Sequence, residues 1–436
     1  MNTNLIKVGD YIVIQKQNYK KMVKFNKSNS TATLGRDTVN LSGIENCKYF
    51  SYFKMVSKGN KKCREYSVEF TDEILSMKDE IDVKVCGNDN RNIVDDGQSQ
   101  KLSAAEIEVL KNDANSASDI VETLITNSNT FHNKTEFSQE KYLKKKEKKY
   151  FEYLQILRPN LRTIAEIMYR LEPNKIQCLR IDTLSQIITA VNIHCNGNHL
   201  LYDSGSNGLL AAGLLSAIGQ GSDGKLVHMH PGNMSQKQAL LAMNFKEEQY
   251  NRCISVNVYS ALRQFYQGCD TNENEFNDTK EKSLKRKNEN SIDHVSKVAK
   301  CDETQNSPQL EDNDSKEGSE KSNQNKKPRW HYDNITAADI LGKGMDSLVI
   351  ASKEDPKNIF DELVSFVKPG RPFVIYYSVA EPLQQLYMHL KIQGNVAALK
   401  LTCNWMRNYQ VLPERTHPEV TMNGASGFLL SGYVLK

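Results

Sequence analysis

Three groups of residues in this chain have types and spacings that could do chemistry. The first is Leu201-Tyr202-Asp203-Ser204-Gly205-Ser206-Asn207-Gly208, an acid at a predicted strand end, a glycine-containing turn and a predicted helix start. That order is a nucleotide-binding geometry: glycine lets backbone approach a ligand, and a helix N-terminus offers unpaired N–H groups. The second is Lys141–Lys149, with six lysines in nine residues. At 100° per residue, Lys141, Lys144, Lys145 and Lys148 share one side of a helix. The opposite side carries Leu143, Tyr150, Leu154 and Leu157, so the segment reads as a helix docked by an apolar stripe with a cationic ridge outward. Lysines held this closely repel one another, and an anionic partner relieves that while releasing counterions from its phosphates. An ordinary solvated face is the competing reading. The third runs from Trp405 to Pro418 and gathers Arg407, Tyr409, Gln410 and Arg415 in one connection. Arginines, an aromatic and amides are the kit for phosphate contacts and base stacking. A rigid loop with two prolines is the alternative.

His228 and His230 alternate on a predicted strand and therefore share a face, but without a third ligand nearby they make a poor metal site. Packing and hydrogen bonding is the favoured reading of both, and no metal is expected.

The elements that must position these groups fall into two patterns. To about Phe70 the chain is β-like: Val8-Gly9-Asp10 turns into Tyr11–Ile14, and further runs follow at Lys48–Val56 and Tyr66–Phe70. Short strands at this spacing suggest a small barrel or sandwich, and a β-rich, barrel-like domain is expected over residues 1–88. Residues 89–175 read as a linker followed by helices. Ser103 and Glu106 form a capping-box signal, a second helix is predicted at Ser118–Asn127, and the lysine helix is predicted to continue to Leu157. From 176 to 436 strands and helices alternate, with strands at His199–Asp203, Lys225–Met229, Cys253–Val258, Asp346–Ala351, Phe373–Tyr377, Ala397–Leu401 and Gly427–Leu435. Such alternation is the mark of an α/β, doubly wound sheet with helices on both faces. About Cys269 to Arg329 interrupts it, rich in Asn, Asp, Glu, Lys and Ser. That segment cannot bury enough apolar surface to offset its ordering entropy and is expected to be disordered. Its basic clusters, Lys282–Lys287 and Lys326–Arg329, suit nuclear import signals or plain solvating charge.

Composition excludes several classes. The 436 residues are 39% hydrophobic, with a mean hydropathy of −0.59, so part of the chain is solvated segment rather than core. No apolar run reaches the length of a membrane span, and Met1–Val8 lacks the apolar stretch of a secretory signal. Nine scattered cysteines without a C-x-x-C pair suggest reduced, intracellular thiols. The net charge of +4 hides the local lysine block.

Two runs, Lys134-Thr135-Glu136-Phe137-Ser138-Gln139-Glu140-Lys141-Tyr142-Leu143-Lys144-Lys145-Lys146 and Arg407-Asn408-Tyr409-Gln410-Val411-Leu412-Pro413, resemble the non-catalytic subunit of the eukaryotic tRNA (adenine(58)-N(1))-methyltransferase. Arg371-Pro372-Phe373-Val374 and Leu430-Ser431-Gly432 match as well. The resemblance implies a Rossmann-like class I methyltransferase fold behind the barrel-like domain, with S-adenosylmethionine held by a catalytic partner subunit. It further implies a nuclear heterotetramer, two of each subunit, acting on tRNA. Against the methyltransferase pattern acid-x-Gly-x-Gly-x-Gly, Asp203 and Gly205 fit, whereas Asn207 and Leu209 replace the later glycines. The second strand ends His228-Met229-His230, with no carboxylate for a ribose. Where the catalytic partner has an aspartate that contacts the adenine, this chain reads Ala351-Ser352-Lys353. No catalytic residue is therefore expected. The candidate tRNA-binding set is Lys134, Gln139, Lys141, Lys144, Lys145, Lys146, Lys148, Lys149, Lys353, Arg407, Tyr409, Gln410 and Arg415. An active methyltransferase with a divergent motif, or an RNA-binding translation initiation factor, are the alternatives.

Overall fold

The computed structural model describes residues 4–57, 64–72, 86–87, 99–113, 117–150, 153–268, 328–411, 416–422 and 424–435. Six strands come first along the chain: β1 (Tyr11–Lys16), β2 (Tyr19–Lys24), β3 (Thr31–Leu34), β4 (Asp37–Asn40), β5 (Tyr52–Ser57) and β6 (Glu65–Thr71). Alternate positions turn into one core, with Ile12 and Ile14, Ala32 and Leu34, and Phe53 and Met55 facing it, as the period of a strand requires; Val13, between the first pair, is buried as well. A seventh strand, β7 (Tyr153–Leu157), enters between β1 and β5 to give the order β2-β1-β7-β5-β6-β4-β3. The sheet curls until side chains bridge its two ends, β1 to β4 and β2 to β3. Lys16 Nζ lies 3.0 Å from Asp37 Oδ2, and Lys21 Nζ donates to Thr33 O at 2.7 Å. This is the barrel-like domain expected of the N-terminal region.

The strand β7 corrects the expectation that the lysine helix runs to Leu157. Leu154 and Ile156 are buried while their neighbours are half-buried, a period of two. The spacing of Leu154 and Leu157 is also compatible with a helix, and only the vacant position between β1 and β5 decides the matter. Three helices precede β7: α1 (Ala104–Asp113), α2 (Ala117–Thr126) and α3 (Glu136–Tyr150). The capping box is present, Ser103 N–H donating to Glu106 Oε2 at 2.7 Å and Glu106 N–H to Ser103 Oγ at 3.3 Å. Leu143 docks α3 against Val121, Ile125 and Phe131.

The rest of the chain builds a second sheet. Its elements are α4 (Leu161–Leu171), α5 (Ile181–Val191), β8 (Asn198–Asp203), α6 (Leu209–Ile218), β9 (Lys225–His230), α7 (Gln238–Ala242), α8 (Glu247–Asn251) and β10 (Cys253–Asn257). After these come α9 (Val258–Gln267), α10 (Arg329–Gly342), β11 (Ser347–Ala351), α11 (Pro356–Leu363), β12 (Pro372–Tyr377), α12 (Glu381–Gln393), β13 (Val396–Trp405), β14 (Tyr409–Gln410), β15 (His417–Pro418) and β16 (Ala425–Val434). The order is β10-β9-β8-β11-β12-β16-β13, parallel throughout except for β16, which runs against both its neighbours. Among the described residues β14 and β15 pair only with each other. Separate apolar clusters cover the two faces. This is a doubly wound, Rossmann-like architecture, with its topological switch between β8 and β11.

Helix α4 contributes Ile164, Ala165 and Met168 to this second core. The chain thus leaves the first sheet at Leu157 and joins the second at Leu161, inside the stretch 89–175 that the sequence suggested as linker and helices. Asn160 caps α4, accepting from Thr163 N–H at 2.9 Å. The two lobes are pinned by Asn244. Its Oδ1 accepts from Tyr11 N–H at 2.9 Å and its Nδ2 donates to Tyr11 O at 2.8 Å. Residues 269–327 of the predicted insert, including Lys282–Lys287, lie outside the described residues. Arg329, which the sequence placed within it, begins α10, and α10 packs against α9.

A closed nucleotide turn and a candidate nucleic-acid interface

The turn after β8 is held by its own acid. Asp203 Oδ1 accepts from Gly205 N–H at 3.0 Å and Ser206 N–H at 2.7 Å, and Asp203 Oδ2 accepts from Ser206 Oγ. Asn207 and Gly208 are left-handed, with φ of 55° and 77°, a conformation that asparagine and glycine tolerate. Asn207 Nδ2 then donates to Gln238 Oε1 at 2.7 Å. Leu209, in the place of a third glycine, is fully buried in the core.

The space above Gly205 is filled. A Cβ on this residue would lie 2.5 Å from Lys353 Cε and 2.7 Å from Gln177 Nε2. Lys353 is delivered by register, since β11 pairs Ala351 with Asp203. Its N–H then donates to Ser204 Oγ at 2.8 Å. Gln177 stands in a left-handed turn, φ 53°, fixed by Tyr376 Oη, which donates to Gln177 O at 2.7 Å. β9 ends in His230, with His228 Nε2 3.9 Å from Asp203 Oδ2. Burial holds both imidazoles below the ordinary histidine range, so the strand end presents neutral rings where a ribose would need an acceptor carboxylate. S-adenosylmethionine therefore does not fit: the backbone approach is roofed by Lys353 and Gln177, and the ribose partner is absent. Among the described residues, no group of three His, Cys, Asp or Glu side chains could hold a metal, and no helix is long and apolar enough to cross a membrane.

The lysine helix presents a ridge. Lys141, Lys144 and Lys145 are exposed on α3, opposite Leu143. Lys144 pairs with Glu140 at 2.9 Å, and Lys146 Nζ sits 5.0 Å above the Tyr142 ring. The side chains of Lys148 and Lys149 lie outside the described residues. Lys134, half-buried, precedes the helix. Gln139 is different from its expected role. It is 4% exposed and donates from Nε2 to Phe131 O at 3.0 Å, so it supports the helix from beneath.

The C-terminal connection rises from the carboxyl end of β13, the edge of the sheet that also bears the Asp203 turn and Lys353. Tyr409 and Gln410 are exposed there. Arg407 is half-buried and donates from Nη2 to Glu419 O at 3.1 Å, clasping the connection. Arg415 lies outside the described residues. Arg180, which sequence reasoning missed, ties the base of this connection down. It forks onto Asp182 at 2.7 and 2.8 Å and donates to Gly424 O at 3.1 Å. No motif announces Arg180 or Gln177, because Gly424 and Tyr376, which tie them to the rest of the sheet, are more than 190 residues further along the chain.

The model of the Gcd10p family matches residues 5–294. The non-catalytic subunit of tRNA (adenine(58)-N(1))-methyltransferase from Mus musculus is 31% identical, covering 98% of this chain and 88% of that protein. The subunit of the same name from Dictyostelium discoideum is 27% identical over 99% of this chain and 79% of its own length. Among solved structures, the tRNA (m1A58) methyltransferase TrmI from Aquifex aeolicus aligns with a TM-score of 0.44 and 10% identity, over 99% of this chain and all of that one. A SAM-dependent O-methyltransferase from Thermotoga maritima gives 0.44 and 12%, over 100% of this chain and 97% of that one. Those structural likenesses are weak, and the fold class rests on the strand order.

Proposed function

The chain belongs to the Gcd10p family, and we propose that it serves as the non-catalytic, tRNA-binding subunit of a tRNA (adenine(58)-N(1))-methyltransferase. One observation carries the reading: a methyltransferase-like sheet is kept while Lys353 and Gln177 occupy the approach to Gly205. A subunit of this kind does no methyl transfer alone. It holds tRNA through the α3 ridge and the Arg407–Gln410 connection, and a catalytic subunit supplies the S-adenosylmethionine site. Phosphate contacts of this type fix orientation rather than sequence. Two copies of each subunit form the assembly, and it works in the nucleus, a reading supported by the basic clusters Lys282–Lys287 and Lys326–Arg329.

Co-expression with the catalytic subunit tests this. The pair should co-purify, bind tRNA and methylate adenine, whereas either subunit alone should not methylate. Methylation by this chain alone overturns the proposal.

A further inference from the structure

The two lobes enclose a cleft of about 660 Å³ on the side of the second sheet away from the Asp203 turn, where α6 ends at Gly219 and α7 leads into α8. Its walls come from different lobes, and the Asn244–Tyr11 clasp fixes their separation. Three features of the lining go unused by the function described above.

The first is Phe50. It holds φ of 73° and leaves 54% of its surface exposed at the cleft. A bulky residue in the left-handed region is strained, and such strain collects at binding sites. The conformation is enforced, since Phe50 N–H donates to Ile156 O at 2.7 Å and Gln155 Nε2 to Phe50 O at 3.1 Å. The second is charge. Lys7, Arg158 and Lys246 are exposed around the rim. Among the described lining residues Asp10 alone is acidic, and it accepts from Tyr49 Oη at 3.2 Å and from Lys7 N–H at 3.2 Å. The third is Gln249, which is 2% exposed. Its Nε2 donates to Leu215 O at 3.0 Å, and its Oε1 has no hydrogen-bond partner among the described residues.

A strained exposed ring, a cationic rim and a buried acceptor ask for a ligand that is planar, anionic and carries a donor. We propose that this cleft is a nucleotide site, with a base stacked on Phe50, its phosphate among Lys7, Arg158 and Lys246, and an N–H or hydroxyl reaching Gln249 Oε1. The cleft volume accommodates one nucleotide, not a duplex. Unpaired nucleotides in RNA and free mononucleotides offer the same chemistry; the RNA source rests on the tRNA-binding reading above.

The test is equilibrium binding of the full chain to tRNA, to a single-stranded RNA pentamer and to 5′-AMP. Two variants accompany it: Phe50→Gly, which removes the ring while suiting the left-handed backbone, and the exposed pair Arg158→Glu with Lys246→Glu. Loss of one stacked base should weaken single-strand and tRNA binding about tenfold or more. The charge-reversal pair should also flatten the salt dependence of tRNA binding. Wild type that binds tRNA with both variants unchanged overturns the cleft and leaves the tRNA reading standing. Wild type that binds 5′-AMP but no tRNA, with Phe50→Gly losing the nucleotide, supports the cleft and overturns the tRNA reading. Binding of none of the three overturns both.

Discussion

Lys353 and Gly205 are 148 residues apart in sequence, yet the lysine stem crosses the glycine so closely that a Cβ there would meet Lys353 Cε at 2.5 Å. The position where a methyltransferase admits its cofactor is thus filled by the protein's own side chain. The full chain is expected to give no binding heat with S-adenosylmethionine at micromolar concentrations. Removing the roof alone, with Lys353→Ala and Gln177→Ala together, should not restore tight binding, because β9 still ends in His230. Micromolar affinity in the unmodified chain contradicts the closed-turn argument.

The α3 ridge makes a second prediction. Replacing Lys141, Lys144 and Lys145 by glutamate should weaken tRNA binding and reduce its salt slope by roughly 0.7–0.9 log units for each phosphate that is no longer neutralised. These side chains are exposed and Leu143 still anchors the helix, so the melting temperature should change little. An unaltered salt slope in a folded triple variant removes the ridge from the interface.

Asn244 joins the lobes while itself left-handed, φ 49°. Asn244→Gly keeps that backbone conformation and deletes both hydrogen bonds to Tyr11. Leaving the Tyr11 N–H and C=O without these partners should cost about 1–3 kcal/mol. Chemical denaturation checks this: a midpoint equal to the wild type's shows that the lobes are held elsewhere.

Stability should fall as pH drops from 7 toward 4. His199 is fully buried, its ring nitrogens bonded to Ser347 Oγ at 2.7 Å and His194 O at 3.1 Å. Burial pulls its pKa down to about 4. The unfolded chain then binds the proton more readily than the folded one. The contribution is present above the ordinary histidine pKa of about 6.5 and is lost as pH falls through the folded value, up to roughly 3 kcal/mol in all. His228 and His230, also depressed by burial, add to the slope. His199→Gln should be less stable at pH 7 yet show a shallower decline between pH 7 and 4.5. Equal slopes rule out His199 as a contributor.

Much of this was readable in the chain. Asp203, Gly205 and the strand before them announce a strand–turn–helix unit, because that chemistry is local. Asn207 and Leu209 announce its degeneration for the same reason. What closes the turn is not local. Lys353 arrives only through the pairing of β11 with β8, and Gln177 only because Tyr376 on β12 holds its carbonyl. The strand β7 was hidden likewise, since Leu154 and Leu157 satisfy a helical spacing until β1 and β5 leave a place for a strand between them. Gln139 misled in the opposite way, its polar type concealing a support beneath α3.

The seam of the first sheet has a consequence for how the chain meets other copies of itself. β2 and β3 are its terminal strands, and a terminal strand can recruit a foreign strand into fibrous aggregates. Here β2 carries Lys20, Lys21 and Lys24, and Lys21 reaches across to a main-chain oxygen of β3. The open edges are guarded by charge and partly consumed by each other, without the permanence of a backbone ladder. The chain therefore carries a safeguard against sticking to its own kind, built into the first sheet by three lysines of one edge strand.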